Sequence, residues 1–243
     1  MDIQKKYLII FDFDQTIIDK DSEFSLIEIY TPEFYKEHES ELYKCENWIS
    51  FNNEIYRKMK EKGYNWEFIK KYYENLKLTS KMDLLFQFIL EHKNNIDSII
   101  CTGNNNIVVN TVLKKHNLDK IITYIISNKS VLDEENILKI SLLNEKYQHC
   151  KECFPFLCKH LAIEDFFEKN KREKYDKIIF ICDGGNDICF SKHLNKGDLL
   201  FPRIGFTLCH LLFDENKKDI IKANIYPWEN AEQIIDVLKK LEF

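Results

Sequence analysis

Five consecutive apolar residues, Tyr7-Leu8-Ile9-Ile10-Phe11, run straight into Asp12-Phe13-Asp14-Gln15-Thr16. The apolar run reads as a buried strand. Two carboxylates spaced i, i+2 then stand where that strand ends, and on a strand such residues share one face. Two anions held that close repel unless a cation sits between them or one carries a proton. A divalent metal and a phosphate ester explain the pair: one carboxylate attacks phosphorus, the other handles the leaving-group proton. A strand end with both acids in water is the plainer reading, and the rest of the chain weighs against it.

The chain has 243 residues, enough for one large domain or a main domain with an insert. Its net charge of -5 argues against nonspecific nucleic-acid or anionic-membrane binding. Met1-Asp2-Ile3-Gln4-Lys5-Lys6 leads directly into the first strand, with no room for a signal peptide. No apolar stretch approaches about 18 residues. These features predict a cytoplasmic protein that uses neither membrane nor nucleic acid, and leave its oligomeric state open. In that compartment the eight cysteines are expected to be reduced thiols.

Strand candidates recur at Tyr7–Phe11, Ser98–Cys101, Ile121–Ile126, Lys177–Cys182 and Leu199–Phe201. Asp12, Thr102 and Asp183 each follow one of them. The carboxyl ends of parallel strands line one crevice, so three polar groups converge on one site. Residues 21–80 differ. Apolar residues recur at helical spacing through Phe24–Tyr30, Trp48–Met59 and Trp66–Leu76, with Pro32 and Gly63 as punctuation. That stretch is too long for a loop and predicts a helical cap subdomain. Residues 1–20 and 81–243 then form the core, with a helix over Lys81–His92 before the second strand. The fold class expected is α/β, a Rossmann-like core with a parallel sheet and a small helical cap inserted after the first strand.

Two further groups carry chemistry. In Cys101-Thr102-Gly103-Asn104 a hydroxyl and backbone N–H groups suit a phosphate oxygen. In Asp183-Gly184-Gly185-Asn186-Asp187 two acids flank glycines that permit close backbone approach, and oxygen ligands of this kind suit Mg²⁺.

In this combination the chain resembles the haloacid dehalogenase superfamily of aspartate-nucleophile phosphatases. Asp12-x-Asp14-x-Thr16, Thr102 and Asp183-Gly-Gly-Asn-Asp187 match its motifs in order and separation. Phe11 to Ser22, the cluster Cys150-x-x-Cys153-x₄-Cys158-Lys159-His160, Phe201-Pro202-Arg203 and Tyr226-Pro227-Trp228-Glu229 are similar to the phosphoethanolamine/phosphocholine phosphatase branch. That branch has relatives acting on pyridoxal phosphate and on pyrophosphate. The resemblance implies that Asp12 is the nucleophile and Asp14 the general acid and base. It further implies that Thr102 donates to a phosphate oxygen and Lys159 offsets the negative charge. Mg²⁺ would be held by an Asp12 oxygen, the Asp14 carbonyl and Asp183, with Asp187 a water-mediated or outer partner. The partner implied is a small phosphorylated metabolite.

Departures from the branch concern substrate and thiols. Acidic residues recur in the choline and ethanolamine enzymes at the positions of Glu23 and Gly103; here Glu23 keeps a carboxylate and Gly103 has none. With Asn104, these are the expected substrate-binding positions. One carboxylate fewer should hold an ammonium less well, which places pyridoxal phosphate, thiamine phosphate and pyrophosphate level with phosphoethanolamine and phosphocholine. Thr102-Gly103-Asn104-Asn105 lacks the second-glycine pattern of phosphoserine phosphatases. Cys182 stands where the family usually has glycine and is expected to act, like Cys101, as a small buried hydrophobe. Cys150, Cys153, Cys158 and His160 offer four soft ligands within eleven residues, with His149 as a substitute; they read as a zinc site or as a buried-thiol loop that holds Lys159. Two other classes compete with an enzyme: a phosphate-ligand binding protein on the same fold, and a zinc-organised interaction module. Retention of Asp12, Asp14, Asp183 and Lys159 favours the enzyme.

Overall fold

A computed structural model describes residues 6–42, 48–148, 150, 157–213 and 221–242, with the side chains of 38–42 left out. The chain runs β1 (Tyr7–Phe11), α1 (Ser22–Tyr30), α2 (Pro32–Leu42), α3 (Trp48–Glu61), α4 (Trp66–Glu74), α5 (Met82–Glu91), β2 (Ile96–Asn105) and α6 (Asn106–Lys115). It continues through β3 (Tyr124–Leu132), β4 (Leu138–Ser141), α7 (Lys159–Asn170), β5 (Lys177–Cys182), α8 (Ile188–Ser191), β6 (Leu199–Pro202), α9 (Thr207–Phe213), β7 (Asn224–Ile225) and α10 (Ala231–Leu238). Among the described residues no helix is long and apolar enough to cross a membrane.

The strands form one sheet in the order β4-β3-β2-β1-β5-β6-β7, parallel except for the β3–β4 hairpin. This is the expected α/β class. Alternation along β1 divides the core. Tyr7, Ile9 and Phe11 pack with α5, α6, α10 and residues of the first four helices; Leu8 and Ile10 pack on the other face with α7, α8 and α9. Both faces are covered, so the parallel strands read as continuous apolar runs. Cys101 and Cys182 lie fully buried on the second face and do not line the crevice. Burial pushes both thiols up, which keeps them protonated and inert.

The chain leaves β1 toward β2 on one side, and β5 returns on the other. Phe11 stands level with Ile100 and with Ile181, and the Asp12 N–H donates to the Ile181 carbonyl at 2.9 Å. Asp12, Thr102 and Asp183 therefore emerge at one edge, at the switch point of the sheet.

Between β1 and α5 lie four helices. The two crossings into this stretch are adjacent: Ile18 bridges Leu78, the Asp19 N–H donates to the Lys77 carbonyl, and the Thr79 N–H donates to the Ile17 carbonyl. Pro32 opens α2 at its first position, where a missing N–H has no cost; the punctuation residue begins an unforeseen helix. Asn53 of α3 clasps Ile140 of β4 through both main-chain groups, at 2.9 and 2.7 Å, tying these helices to the hairpin.

The boundaries of β2 and β3 differ most from expectation. β2 extends to Asn105, so Thr102 lies within it, at the point where its pairing with β3 becomes irregular. β3 runs over Tyr124–Leu132 rather than 121–126, because Ile121 and Ile122 belong to a turn whose N–H groups bond to the Leu118 carbonyl. Polar Ser127, Asn128, Lys129 and Ser130 continue the strand instead, with Lys129 and Ser130 paired to β4.

Candidate active site

Asp12 is nearly buried at the end of β1, and its Oδ1 accepts from the Phe13 N–H at 2.7 Å and from Lys159 Nζ at 2.8 Å. Lys159 begins α7 and is fully buried. Its ammonium also donates to Asp187 Oδ1 at 2.5 Å. Burial alone would strip its charge; Asp12 and Asp187 overcome that and hold its pKa above the ordinary lysine value. A long cation sealed between two carboxylates is a costly arrangement unless both are present.

Asp187, expected as an outer partner of the metal, also anchors Lys159. Its Oδ2 accepts the Gly184 N–H at 2.9 Å, which closes the Gly-Gly-Asn turn after β5. Burial pushes Asp187 up to about 6, against the pull of Lys159. A Cβ on Gly185 would crowd the Thr207 side chain at 3.1 Å. Asp183, at the head of this turn, accepts the Thr16 hydroxyl at 3.2 Å. Burial, then the charges of Asp12 and Asp187, hold its pKa well above the carboxylate range.

These carboxylates fit a divalent cation. Asp12, Asp183 and Asp187 each offer an oxygen, all within 4.8 Å of one another. Three carboxylates against the one ammonium of Lys159 leave two formal negative charges, the charge of one hard divalent ion with oxygen ligands.

Asp14 lies two residues on, where the chain turns. Ser22 donates its N–H to Oδ1 at 2.8 Å, and Asn104 donates its amide to Oδ2 at 2.9 Å and to the Ser22 hydroxyl at 2.7 Å. Burial raises the Asp14 pKa, and the Asp12 charge adds to it, against the Ser22 and Asn104 hydrogen bonds. The acid is thus poised to keep a proton. Gln15 next to it takes a left-handed conformation, φ 54°. Arg203 secures that turn, donating to the Gln15 carbonyl at 2.5 Å and to Asp19 at 2.6 Å while lying over Phe206 and Trp228. Trp228 is fully buried and donates to the Phe201 carbonyl at 2.9 Å. The C-terminal landmarks of the sequence thus brace the loop that carries Asp14.

Asp12, Asp14, Thr102, Gly103, Asn104 and Asp183 line a cavity of about 360 Å³, with Asp21, Glu23, Phe24 and Trp48 lining it from the side of the helical stretch. The Thr102 oxygen accepts from the Asn104 N–H at 3.1 Å, so its own proton can be given to a ligand. The Gly103 carbonyl accepts from Asn128 at 2.7 Å. Glu23 is buried; burial, then Asp14 and Asp21, push its pKa well up, against hydrogen bonds from Trp48 and Asn105. Asp21 caps α1 through the Glu23 and Phe24 N–H groups, and burial followed by the Asp14 charge pushes it up to about 8.

The expected residues line this cavity except Lys159, which is buried and joins the site through its pair with Asp12. Asn104 binds Asp14 as well as facing the cavity. Sequence reasoning missed Ser22, Asp21, Trp48 and Arg203 as parts of the site. Asp21-Ser22-Glu23, a capping residue opening an apolar helix, was the available signal for the first two. The four-ligand cysteine reading changes. His160 turns away and stacks on His193, with ring centroids 3.4 Å apart, while Cys189 of α8 joins Cys150 and Cys158. Cys153 and His149 lie outside the described residues.

Comparison with known proteins agrees with this geometry. A "Probable phosphatase phospho2" of Xenopus tropicalis is 28% identical over 97% of this chain and 98% of its own length. "Pyridoxal phosphate phosphatase PHOSPHO2" of Mus musculus is 27% identical over the same shares. "Phosphoethanolamine/phosphocholine phosphatase" of Gallus gallus is 26% identical over 97% of this chain and 89% of its own. A solved phosphoserine phosphatase in apo form superposes with a TM-score of 0.59 at 17% identity, covering 98% of this chain and all of the other. A solved haloacid dehalogenase-family hydrolase of Salmonella enterica superposes at 0.62 with 15% identity, over all of this chain and 74% of the other. The Putative Phosphatase family model matches residues 7–242, and the chain belongs to that family, a phosphatase on the haloacid dehalogenase fold.

Proposed function

We propose that this phosphatase hydrolyses a small phosphomonoester in two steps through an aspartyl-phosphate on Asp12, with Mg²⁺ as its metal. The observation that carries this is the buried Lys159 ammonium fixed between Asp12 and Asp187, with Asp12, Asp14 and Asp183 lining one cavity. Two donors on Oδ1 fix the Asp12 carboxylate, so attack on phosphorus needs no reorientation. Lys159 pairs with the Asp12 carboxylate and spreads the charge that develops on the phosphoryl oxygens. The Thr102 hydroxyl donates to one of those oxygens.

As the P–O ester bond breaks, Asp14 gives its proton to the leaving alkoxide. In the second step Asp14 takes a proton from water, which attacks phosphorus and releases Asp12 with inorganic phosphate. Asp12, the Asp14 main-chain carbonyl and Asp183 would hold Mg²⁺, which neutralises the two surplus charges and polarises the phosphoryl group. The helices of residues 21–80 act as a cap that keeps competing water out.

The helical side of the cavity bears on substrate. Glu23 and Asp21 beside Phe24 and Trp48 make it acidic and aromatic, which suits a cationic or ring-bearing alcohol better than the second phosphate of pyrophosphate. Relatives named for pyridoxal phosphate and for phosphoethanolamine/phosphocholine support the same class. The test is phosphate release from phosphoethanolamine, phosphocholine, pyridoxal phosphate, thiamine phosphate, pyrophosphate and phosphoserine with Mg²⁺. The expected result is turnover of a cationic or ring-bearing monoester, abolished by EDTA and restored by Mg²⁺. Silence across the panel with folded, metal-replete protein would favour a phosphate-ligand binding role.

A further inference from the structure

Three thiols that the proposed chemistry leaves unused gather at the start of the Lys159 helix. Cys158 is fully buried and immediately precedes Lys159; Cys189 is buried in α8, two residues beyond Asp187; Cys150 is half-buried. The Cys189 sulfur lies 3.7 Å from that of Cys150 and 3.8 Å from that of Cys158, and all three sulfurs lie within 4.8 Å of one another. A tetrahedral zinc site has Zn–S bonds of about 2.3 Å, which sets its S···S edges at about 3.8 Å. Two edges here have that length before any ion is placed. Sulfur ligands of this kind select soft or borderline cations over Mg²⁺. Cys101 and Cys182, also buried, are not members of the cluster, so the gathering is not a general property of buried thiols in this core.

We propose that Cys150, Cys158 and Cys189 form a thiolate site for a zinc-class ion that ties the start of α7 to α8. Binding replaces thiol protons with the metal, and the fourth vertex falls to a solvent oxygen or another donor. The site's place in the fold gives it a purpose. It cross-links the two segments that supply Lys159 and Asp187, and so holds the backbone on both sides of that ion pair. Short-range spacing could not reveal it, because Cys189 lies 31 positions from Cys158.

Cobalt(II) added to the reduced full-length protein under anaerobic conditions tests this, with excess Mg²⁺ to occupy the carboxylate site. The expected result is a sulfur-to-cobalt charge-transfer band with tetrahedral d–d bands, bleached by added zinc. Cys189→Ser and Cys150→Ser should each lose most of that charge-transfer intensity, while Cys209→Ser, a thiol on α9 outside the cluster, keeps it. Cys150 is half-buried, so its variant remains informative if Cys189→Ser fails to fold. Absence of the band in folded wild type, or the same band in either cluster variant, overturns the proposal. Cobalt on the carboxylates has oxygen ligands and gives no such band, so a failure here is separable from a failure of the phosphatase mechanism.

Discussion

At the Asp12 end of the cavity three carboxylates cluster and two of them, Asp12 and Asp187, share one buried ammonium; at the Glu23 end Asp21 and Glu23 are met by neutral donors, main-chain N–H groups, the Trp48 indole and the Asn105 amide. The outcome is instructive in Asp187 and Asp21. Asp187 is the more deeply buried of the two, yet it rises only to about 6, because Lys159 lies 2.5 Å away, whereas Asp21 rises to about 8. Burial acts on both; a fixed cation limits it in one. The first end is prepared to carry charge through a reaction. The second meets its acids with neutral donors and raises their pKa values, and a cationic ligand there would favour their ionised forms.

The most severe way to break this contrast is to remove the shared ammonium. Lys159→Met leaves Asp12 and Asp187 buried without their cation, and is expected to cost about 3–5 kcal/mol of stability. Turnover in the surviving folded fraction should fall on the order of 10²–10³-fold. Thermal melting beside a steady-state assay reads both, and near-wild-type values in both would remove Lys159 from the mechanism. Next comes the hinge between the two ends. Asn104→Ala releases Asp14 and is expected to lower kcat by about 10²-fold with a small change in KM, since a misplaced acid costs rate rather than binding.

A pH profile sharpens the same point. The raised pKa of Asp14 means that it keeps its proton to higher pH than an ordinary carboxylate. Turnover of an alkyl phosphate should therefore be full while Asp14 is protonated and decline as pH rises through that raised pKa. A p-nitrophenyl ester, whose leaving group needs no proton, should hold its rate over that range. Matching profiles for the two esters would count against Asp14 as the acid. The smallest effect belongs to the far end. Glu23→Gln keeps the shape but loses the ability to ionise, and should raise KM for an amine-bearing ester by roughly tenfold, ~1.4 kcal/mol, at little change in kcat. An equal loss on a neutral phosphate ester would show that Glu23 acts by shape alone.

What was legible in the sequence was whatever strand periodicity marks. β1 and β5 stand at the expected residues, and Asp12 and Asp183 at their ends face one another because the register makes Phe11 level with Ile181. Helices α1, α3, α4 and α5 follow their apolar spacing. The missed strands, β4 and β7, lie at the two edges of the sheet, four and two residues long, with too few apolar positions to set a period. Pairings at long range were equally hidden. Lys159 could be named through the family resemblance of the cluster around it, but its second partner, Asp187, lies 28 positions away, and Arg203 reaches back 188 positions to Gln15. Such contacts follow from how strands are ordered in the sheet, which no local spacing records.

The central claim is that Asp12 becomes phosphorylated. Wild-type enzyme mixed with a turned-over substrate, acid-quenched within one turnover, reduced with borohydride and digested tests this by mass spectrometry. Reduction of an aspartyl-phosphate yields homoserine, and the account predicts that residue at position 12, absent without substrate and absent in Asp12→Asn. Homoserine at position 14 instead, or an active enzyme that never carries the modification, would contradict it.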